Sequence, residues 1–176
     1  MQHIFRFLAV AGIATALAVC TSCTYQTAIQ RLPPQEQVAF RAYSKVMSTR
    51  QAHTYLTKAT AAERAAYLEE IGLTQRFQAL SPLDRETVMS GFPRIGMSAE
   101  ALRFLWGEPY SAIGPAGRHE RWVYLGSAFS LAYRGNSTTD IATVVEVHLA
   151  NDRVTGWLET VPTINDDNGR NDDRRR

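Results

Sequence analysis

The sequence predicts an α+β fold, in which an N-terminal block of helices precedes a short helix packed on a four-stranded antiparallel meander sheet. Three observations predict this arrangement. Residues 35–92 place apolar side chains at helical spacing between recognisable helix start and stop signals. Residues 94–110 encode one further short helix with a wide apolar arc. Residues 120–159 alternate apolar and polar side chains in short runs joined by turn residues, as strands do.

The first residues of the chain are predicted to be a signal peptide rather than part of the fold. Phe7–Val19 is an uncharged run of thirteen residues, which is too short to span a bilayer comfortably but suits a signal peptide. The run ends in Leu-Ala-Val-Cys-Thr-Ser-Cys, which resembles a bacterial lipoprotein signal, where cleavage precedes a cysteine that becomes diacylated. Residues 1–23 are therefore predicted to be the signal peptide and the lipidation site.

Two cysteines compete for the acyl chains, palmitate among them. Cys23 is favoured because the small residue Ser22 precedes it, whereas Cys20 has Leu17 three positions before it and stays the alternative. An ordinary cleaved signal, leaving a soluble periplasmic protein, also stays open. By the lipoprotein resemblance, Thr24 instead of Asp after the acylated cysteine implies the periplasmic face of the outer membrane.

The composition argues against several kinds of function. No cysteine follows Cys23, so the folded part has no disulfide, thiol nucleophile or cysteine-based metal site. Nineteen Lys and Arg nearly balance seventeen Asp and Glu, and no basic patch is interleaved with aromatic residues. Nucleic acid is therefore not an expected partner.

After the signal, residues 24–34 are predicted to be a tether that Pro33-Pro34 stiffens toward an extended conformation. Residues 35–92 form the helical block, in which 35–58 is one bent helix or two. Capping boxes at Ser48 and Thr60 and the pair Ser81-Pro82 predict helix starts within it. Residues 93–162 are the α+β part, and residues 163–176, rich in Asp, Asn and Arg, are a disordered tail.

The short central helix is predicted to start at Ser98 as its N-cap and to stop at Gly107, with Pro109 preventing continuation. We expect Trp106 to be buried against Trp122 and Tyr124 of the sheet.

Two hairpins define the predicted register. A turn at Gly126-Ser127 joins a strand ending at Leu125 to a strand Phe129–Arg134, and a turn at Asn151-Asp152 joins the last two strands. These turns predict the following pairs: Tyr124 with Phe129, Trp122 with Leu131, Leu149 with Val154, Val147 with Gly156, and Val145 with Leu158.

The motifs of this part resemble the SmpA/OmlA lipoprotein family. They are Gly96-Met-Ser-x-Glu100, Gly107-x-Pro109, Trp122-x-Tyr124, Val147-x-Leu149-x-Asn-Asp-x-Val154 and Trp157. The resemblance covers residues 94–159 and implies helices packed on an antiparallel sheet, as in the β-lactamase-inhibitor-protein domains. The family includes a small lipoprotein of the β-barrel outer-membrane protein assembly machinery. Its members usually have three strands and no counterpart of residues 35–92.

No residue pattern predicts a catalytic, cofactor-binding or metal site. His119 and His148 lack a carboxylate at ligand spacing, and Lys45 is expected to be solvated. We therefore expect no enzyme and no cofactor, but a scaffold or adaptor that binds another envelope protein. An inhibitor of a periplasmic enzyme, acting through the same fold, is the alternative.

The predicted register places Val123, Val144 and Trp157 on the sheet face opposite the central helix, beside Glu146 and His148. A tryptophan with neighbouring valines is a candidate partner face. The alternative is that the helices of residues 35–92 cover this face and make it part of the core.

Overall fold

A computed structural model describes residues 25–134 and 143–160 as an α+β fold. Helical residues 25–30 precede seven helices and four strands. Within the described residues, no helix combines the length and the apolar character needed to cross a membrane. The helices are α1 (Pro34–Ser44), α2 (Thr49–Thr57), α3 (Ala61–Glu70), α4 (Leu73–Gln78), α5 (Pro82–Ser90), α6 (Ala99–Trp106) and α7 (Ala128–Arg134). The strands are β1 (Ser111–Ile113), β2 (His119–Leu125), β3 (Val144–Ala150) and β4 (Arg153–Thr160), antiparallel in the order β1-β2-β3-β4.

The predicted helix starts are confirmed. Ser48 and Thr60 form complete capping boxes, and the side chains of Ser81 and Ser98 accept hydrogen bonds from the third backbone N–H of their helices. Because Ser48 starts a new helix, residues 35–58 contain two helices and not one bent helix. Gly72, with a φ of +75°, starts the short helix α4, which the sequence did not predict.

The predicted extended tether differs from the structure. Residues 25–30 are helical, and the Leu32 side chain, 6% exposed, belongs to the hydrophobic core. Tyr25 and Ile29 pack against the same core. Apolar side chains at positions 25, 29 and 32 follow helical spacing and pack on the core, whereas Pro33 keeps an extended backbone (φ −53°, ψ 146°) and Pro34 begins α1.

The helical block and the sheet share one hydrophobic core, so the predicted division at residue 93 does not separate two cores. Phe104 of α6 contacts Tyr43 and Phe77 edge to face, at centroid distances of 6.1 and 5.5 Å. On the other side of α6, the Trp106 ring meets Tyr124 of β2 at 5.4 Å. The central helix is therefore buried between the other helices and the sheet, and the predicted burial of Trp106 and its packing on Tyr124 are confirmed.

The predicted strand Phe129–Arg134 is wrong, because residues 128–134 form helix α7. Ser127 starts this helix: its hydroxyl accepts a hydrogen bond from Ser130 N at 3.1 Å, and its carbonyl accepts one from Leu131 N at 2.9 Å. The two hairpin pairs predicted across Gly126-Ser127 do not form, and β2 pairs directly with β3. The sheet still has four strands because β1, which was not predicted, pairs with the other edge of β2.

The predicted register of the second hairpin is confirmed at the turn and is wrong beyond it. Asn151 and Asp152 have φ angles of 52° and 57°, and Leu149 pairs with Val154 as predicted. A β-bulge at Thr155, which has no cross-strand partner, then shifts the register by one residue. The observed pairs are Val147 with Trp157 and Val145 with Glu159, in place of Gly156 and Leu158.

Candidate binding surfaces

One face of the sheet is covered by helices and the other is exposed. Trp122, Tyr124, Val145 and Val147 are buried on the covered face. Because residues alternate between faces and cross-strand partners share a face, the opposite, open face carries the remaining side chains of the strands. Its principal members are Ile113, Arg121, Val123, Val144, Glu146, His148 and Leu158.

The open face is accessible in the described structure. Arg121 and His148 are exposed, Leu158 is 57% exposed and Ile113 is 49% exposed. The helices of residues 35–92 therefore do not cover it, and the alternative that made this face part of the core is wrong. Their aromatic side chains pack on α6 instead, on the other side of the sheet.

The predicted partner-face residues are not all together. Val123 and Val144 lie half-buried on the open face, as predicted. Trp157 does not: it pairs with the fully buried Val147 and so lies at the margin of the helix-covered face, 39% exposed. The bulge at Thr155 is the reason, because one extra residue moves every later side chain of β4 to the other face. Leu158 takes the predicted place of Trp157 on the open face.

Polar side chains are distributed among the apolar ones of the open face. Arg121 Nη1 donates to Glu146 Oε2 at 3.4 Å, which joins β2 to β3 across this surface. His148 is exposed, as predicted, and pairs with Gly156. Within the described residues, no three His, Cys, Asp or Glu side chains come together as possible metal ligands.

The free edge of the sheet is partly protected. Gly96 N donates to Val154 O at 2.7 Å and Val154 N donates to Met97 O at 2.9 Å, so the segment before α6 pairs with the first residues of β4. Arg153 Nη1 strengthens this pairing by donating to Gly96 O at 2.8 Å. Edge strands left unpaired invite association, and this segment covers the beginning of β4.

A cavity of about 510 Å³ lies between helical residues 25–30 and α1. Tyr25, Ile29, Phe40, Arg41 and Lys45 are among the residues that line it. The sequence did not predict this cavity, because it exists only where residues 25–30 fold back on α1. The candidate lipidation residues Cys20 and Cys23 lie outside the described residues, a short distance along the chain before it.

Lys45 is not the solvated lysine that the sequence predicted. Its Nζ donates a hydrogen bond of 2.9 Å to the carbonyl oxygen of Leu131 in α7. Burial, together with the nearby positive charge of Arg41, lowers the pKa of Lys45 to about 8. The partner is 86 residues away in the sequence, so no local pattern could have revealed the contact.

No family model matches this chain, and comparison with curated proteins and with solved structures finds no match.

Proposed function

We propose that this protein is a non-enzymatic lipoprotein, anchored at the periplasmic face of the outer membrane through acyl chains on Cys23 or Cys20. In this proposal it acts as a scaffold or adaptor that binds another envelope protein. The exposed open face of the sheet, with Ile113 and Leu158 largely accessible, is the observation that carries the binding role. The signal-like sequence that ends at Cys23 supports the location.

The open face has the composition of a small protein interface. Apolar side chains from three strands, those of Ile113, Val123 and Leu158, are accompanied by Arg121 and Glu146. Protein interfaces commonly combine an apolar centre with polar groups around it. Single exposed apolar residues mean little, but several on one rigid sheet face support a docking surface.

The anchor is tested by intact-mass analysis of the protein extracted from membranes. We expect a mass increase that corresponds to two or three acyl chains, since a single chain gives only marginal membrane binding. Cys23→Ala should abolish the modification, and the variant with both cysteines replaced should leave the membrane fraction. Full acylation of Cys23→Ala would assign the lipid to Cys20, and an unmodified native chain would refute the anchor.

The binding role is tested by photo-crosslinking and co-purification from native membranes, with a crosslinker at position 123. Leu158→Glu should abolish capture of the partner, because a buried unpaired carboxylate in the centre of an interface is costly. Phe92→Glu is the matched control, since Phe92 is 46% exposed but lies outside the sheet. Equal capture by the native protein and Leu158→Glu would refute the open face as the binding surface.

A further inference from the structure

The chain leaves very little length between the proposed anchor and the folded domain. Helical structure is present at Tyr25, so at most one residue, Thr24, lies between an acylated Cys23 and helical structure. Two residue steps of extended chain span about 7 Å at most. The surface around Tyr25 must therefore stay near the headgroups if Cys23 holds the lipid.

The first helical residues are also fixed to the rest of the protein. Tyr25 and Ile29 pack against the core, and Leu32 is buried in it. Leu32 N donates to Ile29 O at 3.0 Å, and the Gln37 side chain donates to Leu32 O at 2.8 Å. If Cys23 holds the lipid, the domain is therefore attached with little slack, and the surface around Tyr25 is turned toward the bilayer.

The segment of the chain that follows the proposed anchor is basic. Residues 25–58 contain five Lys or Arg and a single acidic residue, Glu36. Glu36 is already paired, because its Oε2 accepts from Arg64 Nε at 2.6 Å. The other described residues contain nine Lys or Arg and eleven Asp or Glu, so the excess positive charge belongs to the segment nearest the anchor.

The basic side chains flank Tyr25. Arg41 and Lys45, one helical turn apart, line the 510 Å³ cavity on one side of it. Tyr25 also lines, with His53, a smaller cleft of about 160 Å³. Arg50 lies three residues before His53 on α2 and therefore on the same helix face. We define the anchor-side surface by these exposed or partly exposed residues: Tyr25, Gln26, Arg41, Lys45, Arg50 and His53.

We propose that the anchor-side surface binds the anionic phospholipid headgroups of the leaflet that holds the acyl chains. This inference rests on the proposed lipid anchor and adds to it a defined orientation of the domain. Its basis is the short connection to Tyr25 together with the charge complementarity between Arg41 and Arg50 and an anionic surface. The membrane contact then occupies the helical end of the protein and is separate from the open face of the sheet.

The test uses the acylated full-length protein reconstituted in vesicles of phosphatidylcholine, with or without 30% phosphatidylglycerol. A fluorophore is placed on a single cysteine at Gln26 or, as the control site, at Arg118; both residues are exposed. The body of the chain contains no other thiol, since no cysteine follows Cys23. We expect phosphatidylglycerol to protect the label at position 26 severalfold from the soluble quencher acrylamide, and to leave the label at 118 accessible.

Charge variants show whether the headgroups are recognised. With the label at position 26, Arg41→Gln/Arg50→Gln should remove the extra protection that phosphatidylglycerol gives. The control Arg118→Gln/Arg121→Gln removes the same amount of charge from the sheet region and should retain the extra protection of the label. Equal quenching at positions 26 and 118, or protection that is insensitive to Arg41→Gln/Arg50→Gln, would overturn the proposal. Protection seen in native membranes but not in lipid vesicles would also overturn it, in favour of a protein contact.

Intact-mass analysis of the same preparation separates failure of the anchor from failure of the surface. If no acyl chain is found, the proposed function fails, and the surface is then tested by sedimentation of the unacylated protein with the same vesicles. Each basic residue near an anionic surface strengthens binding about fivefold, so Arg41→Gln/Arg50→Gln should weaken binding by up to about 30-fold at low salt. Binding that does not depend on phosphatidylglycerol would overturn the proposal.

Discussion

Lys45, directly after α1, donates a hydrogen bond of 2.9 Å to the backbone of Leu131 in α7, a helix that follows β2 in the chain. The contact places a partly buried cation against a helix carbonyl, where the helix dipole favours positive charge. Burial nevertheless lowers the pKa of Lys45 to about 8 from the usual 10.5. The desolvation of the Lys45 ammonium therefore outweighs its attraction to the carbonyl, and this makes the free energy of unfolding depend on pH.

The free energy of unfolding should rise between pH 7.5 and pH 9.5, by about 1–2 kcal/mol. In this window the unfolded state, with its lysine pKa near 10.5, binds more protons than the folded state, whose Lys45 pKa is about 8. Urea denaturation at the two pH values measures the change. Lys45→Met should abolish the rise and Arg50→Met, which also removes a charge, should keep it. An unchanged rise in Lys45→Met would show that another group is responsible.

The same measurement should show a fall in stability above pH 10. Burial raises the pKa of Tyr43, Tyr55 and Tyr124 above 10, so the unfolded state releases their protons first and is favoured as the pH increases. Tyr124→Phe should reduce this fall, because it removes the phenol that is most deeply buried of the three. A stability that continues to increase to pH 11 would contradict the burial of these side chains.

Trp106→Ala should lower the free energy of unfolding by about 3–5 kcal/mol, since the Trp106 side chain is fully buried against Tyr124. Trp106→Phe should cost much less. The indole Nε1 has no hydrogen-bond partner among the described residues. Replacing the indole by a phenyl ring therefore eliminates an unsatisfied buried N–H and keeps most of the packing against Tyr124. Equal losses for the two variants would show that the indole N–H, and not the volume of the ring, stabilises the core.

The bulge at Thr155 gives Trp157 and Leu158 different roles, although they are adjacent. Trp157→Glu should lower the melting temperature, because Trp157 shares the helix-covered face with Val147. Leu158→Glu should leave stability within about 0.5 kcal/mol of the native protein, since Leu158 is 57% exposed on the open face. If Leu158→Glu lowered the melting temperature more than Trp157→Glu, the strand register predicted without a bulge would be the correct one.

Gly114→Ala should destabilise the protein far more than Gly72→Ala. Both glycines have a positive φ, of 110° and 75° respectively, so both substitutions strain the backbone. A Cβ atom at Gly114 would also lie 2.3 Å from the carbonyl oxygen of His119, whereas at Gly72 nothing lies within 4 Å. We expect a cost of about 1 kcal/mol at Gly72 and a clearly larger one at Gly114. Similar urea midpoints would mean that the loop before β2 can relax.

Local signals in the sequence predicted most of the fold. The caps at Ser48, Thr60, Ser81 and Ser98 were predicted correctly because a helix start is determined by residues within one turn. Residues 129–134 were assigned to a strand because a short apolar run is compatible with the periodicity of a helix and with that of a strand. Leu131 and Ala132 are both buried, which a helix allows and a strand with one covered face does not.

The candidate surfaces depended on features that no local pattern contains. Val123 and Val144 were placed correctly, but Trp157 was not, because a bulge at a single position reverses the alternation after it. The cavity beside Lys45 and its contact with Leu131 require residues from distant parts of the chain. The cysteines chosen for acylation lie outside the described residues, and that choice stays a prediction.

The helical structure at Tyr25 has a consequence for how the protein could be shed from a membrane. A protease cleaves extended chain, and between Cys23 and the described helix the sequence offers at most one residue, Thr24. Cleavage would therefore require residues 25–30 to unwind first, which pulls Tyr25 and Ile29 away from the core. Release from the anchor and local unfolding would then be a single event, so the fraction of cleaved protein should report the stability of this one helix.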